Sequence, residues 1–264
     1  MTFQVLVSTM NQTDHSLLEK MNIQSDAVVV NQCGKSSYEE FTYNGHRIKW
    51  ISMCQKGVGN SRNTALSYAD ADIVLFSDDD MHYYDGYAET VLETFRQKAQ
   101  ADVFCFNLRL TNDRGEELGG NYCQKPRRLH LHNMLRYGAP AIAARRKALL
   151  KNRIAFSQLF GGGAPFSSGE DTLFLVDCRK NGLKMYADPY VLADVDQSTS
   201  TWFCGYTEKL FIDKGRIYPG ICPRAYPLLF GYYALRLSRN TPEYSVWQIL
   251  RLFREGKKQM RNYR

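Results

Sequence analysis

The chain of 264 residues is 44% hydrophobic, which suits one sizeable domain with a small appendage and argues against two full domains. Its net charge of +7 favours an anionic partner, and nucleic acid, a phosphate-bearing substrate or an acidic lipid surface would all satisfy it. Seven cysteines occur without a CxxC pair or regular spacing, which argues against a zinc site or a disulfide framework and fits reduced thiols in a cytosol.

The first half of the chain alternates short β-rich runs with helical patterns. This alternation predicts an α/β fold with a mostly parallel sheet flanked by helices on both faces. The expected strands span residues 3–7, 27–30, 48–53, 73–76 and 103–108, and the expected helices span residues 14–21, 60–69 and 86–100. Because the N-terminal residues have a strand pattern instead of the basic and long apolar regions of a signal peptide, we expect a cytoplasmic protein.

The second half begins with a polar, irregular stretch at residues 111–133, which predicts an excursion from the sheet that shapes a substrate pocket. After it we expect a strand–helix or helical stretch at 139–152, a glycine-rich loop at 161–163, a helix from about Gly169 to Asn181 and a strand at 185–192. Residues 1–205 are expected to form the main domain and residues 206–264 a helical extension.

The C-terminal residues 244–264 have the pattern of a basic amphipathic helix. Its apolar positions are Val246, Ile249, Leu250 and Phe253, with arginines and lysines beside and beyond them. This stripe fits attachment to an anionic membrane surface, and it equally fits packing on the domain or on a second copy. The apolar run at 226–237 is shorter than the ~20 residues that cross a bilayer, so we expect no spanning helix there.

Three consecutive carboxylates, Asp78, Asp79 and Asp80, follow the apolar strand expected at 73–76. Ligands of open α/β sheets bind at the carboxyl ends of strands. Adjacent like charges repel unless a cation or hydrogen-bond donors share them, and hard oxygen ligands suit Mg²⁺ or Mn²⁺. The pattern therefore favours a metal site over a solvated acidic turn that caps the next helix.

A second acidic pair, Glu170 and Asp171, begins the helix that follows the glycine-rich loop. Negative charge is stabilising at a helix N-terminus, and beside a metal–diphosphate site the same carboxylate would suit proton removal from an attacking hydroxyl. A weaker signal for nucleotide or phosphate binding is provided by Gly57, Gly59 and Arg62, which introduce an earlier helix.

Five motifs in this order resemble family 2 glycosyltransferases with the GT-A fold, the group that builds capsules, O-antigens and other bacterial surface glycans. They are residues 5–9, residues 28–32, residues 59–63, the triplet 78–80 and residues 169–171. The resemblance covers residues 2–200. It implies inverting, metal-dependent transfer of a sugar from a nucleoside-diphosphate sugar, here a UDP-sugar, to a glycan or polyprenyl-diphosphate-linked acceptor at the inner face of the cell membrane.

The resemblance also implies roles for single residues. It places Thr9 and Asn31 near the nucleotide base, and it gives Arg62 a share in holding the base or the diphosphate. The element Asp-x-Asp is matched by Asp78 and Asp80, whereas a shifted register would use Asp79 and Asp80.

In either register one carboxylate, Asp78 or Asp79, touches the donor ribose, and Asp80 binds Mn²⁺ or Mg²⁺, with Asp78 as a second candidate ligand. Asp171, beside Glu170, is implied to be the catalytic base.

Two departures from the family pattern are visible. Many members have an aspartate where this chain has Asn31, and a histidine-bearing stretch where it has residues 193–200. The Gln-x-x-Arg-Trp element of processive polymerases is missing, which favours transfer of a single sugar.

Three alternatives remain open. A sugar nucleotidyltransferase would carry a glycine-rich basic loop where this chain has residues 8–12. A binding module with inert acidic motifs would use the basic charge, although no RRM, KH or zinc-finger pattern is present and nucleic acid is not an expected partner. A degenerate transferase would bind the donor without catalysis.

Overall fold

A sheet of ten strands is the main element of the computed structural model, which describes residues 1–112, 114–118, 123–198 and 205–260. In chain order the strands are β1 (Phe3–Met10), β2 (Ala27–Gln32), β3 (Ser37–Tyr43), β4 (His46–Met53), β5 (Ile73–Asp78), β6 (Met81–Tyr83), β7 (Val103–Thr111), β8 (Arg127–Arg128), β9 (Ile142–Arg145) and β10 (Met185–Asp196). Across the sheet they lie in the order β3-β4-β2-β1-β5-β9-β7-β10-β6, and β8 pairs with β10. Six strands (β1, β2, β4, β5, β7, β10) run in one direction, which confirms the predicted mostly parallel sheet.

Helices cover both faces of this sheet. Those in the described residues are α1 (Leu17–Lys20), α2 (Val58–Tyr68), α3 (Tyr87–Gln97), α4 (Leu131–Met134), α5 (Arg146–Lys151), α6 (Glu170–Lys180), α7 (Glu208–Ile221), α8 (Tyr226–Ser238) and α9 (Val246–Gln259). The apolar side chains of α1 and α3 join the core on one face, and those of α2 and α6 to α9 join the core on the other. Because both faces are covered, β1, β2 and β5 are nearly continuous buried runs and do not alternate.

The five expected strands are present and all extend further than expected. The C-terminal strand also continues to Asp196, so residues 193–196 belong to β10. The helix expected at 14–21 is only the single turn α1, and the stretch at 139–152 folds as a strand followed by a helix.

The edge strand β3 was not expected from the sequence. It pairs antiparallel with β4 across a turn at Asn44 and Gly45, whose φ angles are 49° and 82°. An Asn-Gly pair between β-rich runs favours a hairpin of this kind, so the sequence did contain a signal for β3.

The C-terminal helices pack directly on the rest of the molecule. Helix α9 buries Ile249, Leu252 and Phe253, and its close approach to α7 requires a glycine, since a Cβ on Gly256 would lie 2.0 Å from the carbonyl oxygen of Ile212. The apolar stripe predicted at the C-terminus is therefore largely occupied inside the molecule. One hydrophobic core contains residues from both sides of the expected boundary at 205 and 206. No helix in the described ranges is long and apolar enough to cross a bilayer.

Candidate active site at the carboxyl end of the sheet

The first site residues come together because their strands are parallel neighbours. In the sheet register Thr9 of β1 lies opposite Asn31 of β2, and Ser8 lies opposite Asp78 of β5. The carboxyl ends of parallel strands meet at one edge of a sheet. The residues predicted to bind the donor therefore lie side by side at that edge.

A buried arginine joins the two acidic motifs. Arg62, on α2, donates from Nη2 to both carboxylate oxygens of Asp78, at 2.7 and 3.0 Å, and from Nη1 to Oε1 of Glu170 at 3.0 Å. Its side chain is only 4% exposed, and its guanidinium carbon lies 5.3 Å from the ring centre of Phe156. Burial alone would lower the pKa of Arg62, but the negative charges of Asp78 and Glu170 raise this pKa above its ordinary value.

This arrangement assigns partners that the sequence did not. Both terminal nitrogens of Arg62 are engaged with carboxylates of the protein itself, so its contact with a nucleotide stays a prediction. Both oxygens of Asp78 accept from Arg62, and the carboxylate of Glu170 is turned toward the same guanidinium. Arg62 thus fastens the end of β5 to the start of α6, which are far apart in the chain.

Asp79 and Thr9 form a hydrogen-bonded pair at the same edge. The hydroxyl of Thr9 donates to Oδ2 of Asp79 at 2.5 Å and accepts from Nε2 of Gln12 at 2.9 Å. Asn31 in turn holds the backbone of Gln12, accepting from its N–H at 3.0 Å and donating to its carbonyl at 2.9 Å.

The clamp on Gln12 gives a physical reason for the amide at position 31. An asparagine can accept and donate at once, whereas an aspartate cannot donate to the Gln12 carbonyl. Gln12 was not among the predicted site residues, and no local pattern marks it.

Asp80 is the carboxylate with an unsatisfied oxygen. Its Oδ1 is buried and has no hydrogen-bond partner in the described structure. Burial, together with the negative charges of Asp78, Asp79 and Asp196, raises the pKa of Asp80 to about 7. Asp196 lies beside it because the Asp196 N–H donates to the Asp80 carbonyl at 3.0 Å.

An unpartnered carboxylate oxygen among other acids fits a hard divalent cation. Within the described ranges, no three side chains of His, Cys, Asp or Glu form a ready metal cluster. Among these acids, Asp80 is the residue that could hold such an ion.

Asp171 lies in the first turn of α6, one residue after the partner of Arg62. Burial and the neighbouring charge of Glu170 raise the pKa of Asp171 to about 6. Two contacts act in the opposite direction and lower this pKa: the Thr172 N–H donates to Oδ1 of Asp171 at 2.6 Å, and the positive charge of Arg62 favours the ionised form. Such a carboxyl is mostly ionised at neutral pH and is more basic than an ordinary aspartate. It has the properties of a proton acceptor.

The loop before Asp171 is fastened from behind by α7. The hydroxyl of Ser167 donates to the buried carboxylate of Asp213, which also pairs with Arg216. Gly169 has a φ of 115°, and a Cβ there would lie 2.4 Å from the Cδ1 of Ile217. The sequence placed Gly169 at the start of this helix but predicted neither contact, because the partner residues lie on a helix far along the chain.

The glycines at the start of α2 have close packing partners. Gly57, which precedes α2, and Gly59, in its first turn, pack against the loop at 157–163. The Val58 N–H donates to the Gly162 carbonyl at 2.9 Å, and a Cβ on Gly59 would lie 2.3 Å from the Ser157 carbonyl oxygen. Both segments are therefore in close contact, and the binding of a nucleotide or phosphate at these glycines stays a prediction.

The chain belongs to glycosyl transferase family 2, whose model matches residues 9–154. Its fold is of the GT-A type. Asp171 and Glu170 lie beyond the matched residues. No curated protein matches the chain.

Among solved structures, the chain is similar to S. aureus TarS 1-349 in complex with UDP-GlcNAc, with 19% identity, a TM-score of 0.62, and coverage of 83% of this chain and 66% of that one. The complex of the same protein with UDP matches with a TM-score of 0.60 at the same identity, over 83% of this chain and 65% of that one. The chain thus spans slightly less than two thirds of those structures, and at this identity the likeness shows the fold.

Proposed function

We propose that this glycosyltransferase moves a single sugar from a UDP-sugar to a hydroxyl of a glycan or lipid-linked acceptor in surface polysaccharide synthesis, with inversion at the anomeric carbon. The observation that carries the proposal is the Arg62 bridge, which brings the acids at the end of β5 next to the pair at the start of α6. This contact supports a donor site and a proton acceptor that lie side by side.

The nucleotide is proposed to lie at the edge formed by Thr9, Asn31 and Asp79. The structural relatives hold UDP-GlcNAc and UDP, which supports a uridine donor here. Since the amide of Asn31 is bound to the Gln12 backbone, we propose that it shapes the base pocket chiefly by holding the segment around Gln12 in place.

Mn²⁺ or Mg²⁺ is proposed to bind at Asp80, whose buried oxygen lacks a partner. Asp78 remains a second candidate ligand, but its oxygens are shared with Arg62. When bound, such an ion stabilises the charge that develops on a leaving diphosphate.

Asp171 is proposed to accept the proton of the acceptor hydroxyl. As the hydroxyl oxygen forms its bond to the anomeric carbon, the bond from that carbon to the diphosphate oxygen breaks, and the proton passes to the Asp171 carboxylate. Displacement in line with the leaving group inverts the anomeric centre. Because the pKa of Asp171 is raised to about 6, turnover should fall as the pH drops below that value.

The cellular setting belongs to the same proposal. A lipid-diphosphate-linked acceptor would place the protein at the cytoplasmic face of the cell membrane as a peripheral protein. The net charge of +7 is compatible with an anionic membrane surface as a partner.

The test is a comparison of Asp171→Asn, Asp80→Asn and the control Asp177→Asn, which alters an exposed carboxylate on the same helix α6. Thermal shifts with UDP and UDP-GlcNAc, with and without Mn²⁺, report donor binding, since a ligand at about 100 times its Kd stabilises by about 2.7 kcal/mol. We expect Asp171→Asn to keep the shift and lose at least about a hundredfold in turnover. Asp80→Asn should lose the Mn²⁺-dependent part of the shift.

The control variant should match the wild type in both assays. Full activity of both Asp171→Asn and Asp80→Asn would refute the mechanism. A folded wild type that shifts with no nucleotide would refute the donor assignment.

A further inference from the structure

Helix α8 is apolar on two opposite faces, and only one of them is covered. Phe230, Ala234 and Leu237 are buried against α7 and α9. On the opposite side, Leu228, Tyr232 and Leu235 are 76, 57 and 55% exposed. Their spacing of i, i+4 and i+7 places them on one stripe of the helix. We call these three residues the outer face of α8.

The charged residues of α8 and of the short segments on either side of it are all basic. Residues 222–242 contain Arg224, Arg236 and Arg239 and no aspartate or glutamate. These three arginines are exposed, and Arg239 continues the outer face at i+11 from Leu228. The pKa of Lys214 is lowered mainly by burial and further by the positive charge of the nearby Arg236. The outer face is therefore an apolar stripe whose own segment carries only basic charge.

We propose that the outer face of α8 docks on an anionic lipid bilayer, with the helix lying in the plane of the interface. An apolar face bordered by basic residues is the pattern of interfacial helices. The helix has 13 residues, so its length of about 20 Å is too short to span a bilayer. Trp247, at the start of α9, is 76% exposed and has the side chain that favours the headgroup region.

The structure favours lipid over a second copy of the chain at this surface. In a symmetric dimer formed through the outer face, the same arginines of two copies would meet, and like charges would repel. An anionic lipid surface instead attracts all three. The stripe of α9 cannot serve this purpose, since Ile249 and Phe253 are fully buried against α7 and α8. The proposal stands independently of the sugar transfer proposed above.

The test is co-sedimentation of the full chain with vesicles of phosphatidylcholine alone or mixed with phosphatidylglycerol. We compare the wild type with Leu228→Ser/Tyr232→Ser/Leu235→Ser and with Arg224→Gln/Arg236→Gln/Arg239→Gln. The matched control, Tyr38→Ser/Tyr68→Ser/Leu150→Ser, removes apolar side chains that are exposed elsewhere. Thermal unfolding of each variant confirms that it is folded.

We expect the wild type to bind the anionic vesicles far better than the neutral ones. The arginine variant should lose on the order of a hundredfold in partitioning, because each basic residue contributes roughly fivefold. The apolar variant should lose at least about tenfold, and the control should bind as the wild type does.

Absence of wild-type binding to anionic vesicles would overturn the proposal, as would an equal loss in the control. Size-exclusion chromatography tests the rival occupant. A dimeric wild type that the apolar variant makes monomeric, with vesicle binding unchanged, would assign the outer face to a second copy.

Discussion

Replacement of Arg62 by methionine tests the central contact of the site. Methionine keeps much of the side-chain length and can still pack on Phe156, but it leaves Asp78 and Glu170 without their shared cation. Removing one partner of a buried ion pair destabilises by about 3–5 kcal/mol. For a chain of this size the corresponding decrease in Tm is roughly 6–20 °C.

The assay is urea unfolding at pH 7 followed by circular dichroism, together with a thermal scan. A matched control is Arg96→Met, because Arg96 pairs with Glu93 at 3.2 Å while its side chain is 53% exposed. Exposed pairs contribute little, so this variant should unfold close to the wild type.

A third variant separates lost charge from lost packing. When Asp78→Asn and Glu170→Gln are added to Arg62→Met, neither of the two carboxylates that Arg62 binds is left charged without its partner, and most of the lost stability should return. The reasoning is refuted if Arg62→Met unfolds like Arg96→Met. It is also refuted if the triple variant is no more stable than Arg62→Met.

Three further changes test single contacts. The pKa of Asp171 is raised from 3.8 to about 6, so ionisation lowers the free energy of unfolding of the wild type as the pH rises from about 4 to 6. Asp171→Asn removes this loss. In urea unfolding, the variant should be more stable than the wild type by up to about 3 kcal/mol above pH 6 and no more stable below pH 4. A stability difference that does not change with pH would contradict the assignment. Gly169→Ala should lose more stability than Gly182→Ala, because it combines a φ of 115° with a Cβ contact of 2.4 Å to Ile217. Gly182→Ala has a φ of 77° in open space and should lower the free energy of unfolding by only about 1–2 kcal/mol. Equal losses in the two alanine variants would show that the Ile217 contact is unimportant. Asn31→Asp turns a carboxylate oxygen toward the Gln12 carbonyl and should destabilise by about 1–3 kcal/mol in thermal unfolding, and an unchanged Tm would argue against the clamp.

The sequence by itself determined the class of fold and the position of the acids. Continuous apolar runs such as 73–76 predict buried parallel strands, and the ends of such strands are where ligands bind. The Asp78–Asp80 triplet could be located for that reason alone. Asp171 could be nominated because it begins a helix after a glycine-rich loop. These features are local, so periodicity and turn residues are sufficient to find them.

Only the tertiary structure decided which groups are partners. Arg62 lies 108 residues before Glu170 and holds it together with Asp78, and Asn31 holds the backbone of Gln12. The direction of the apolar stripes was decided in the same way, because α9 turns its stripe toward α7 while α8 keeps one apolar face exposed. A hydrogen bond or a helix contact depends on where two distant segments meet in space, and the local pattern of either segment contains no record of the other.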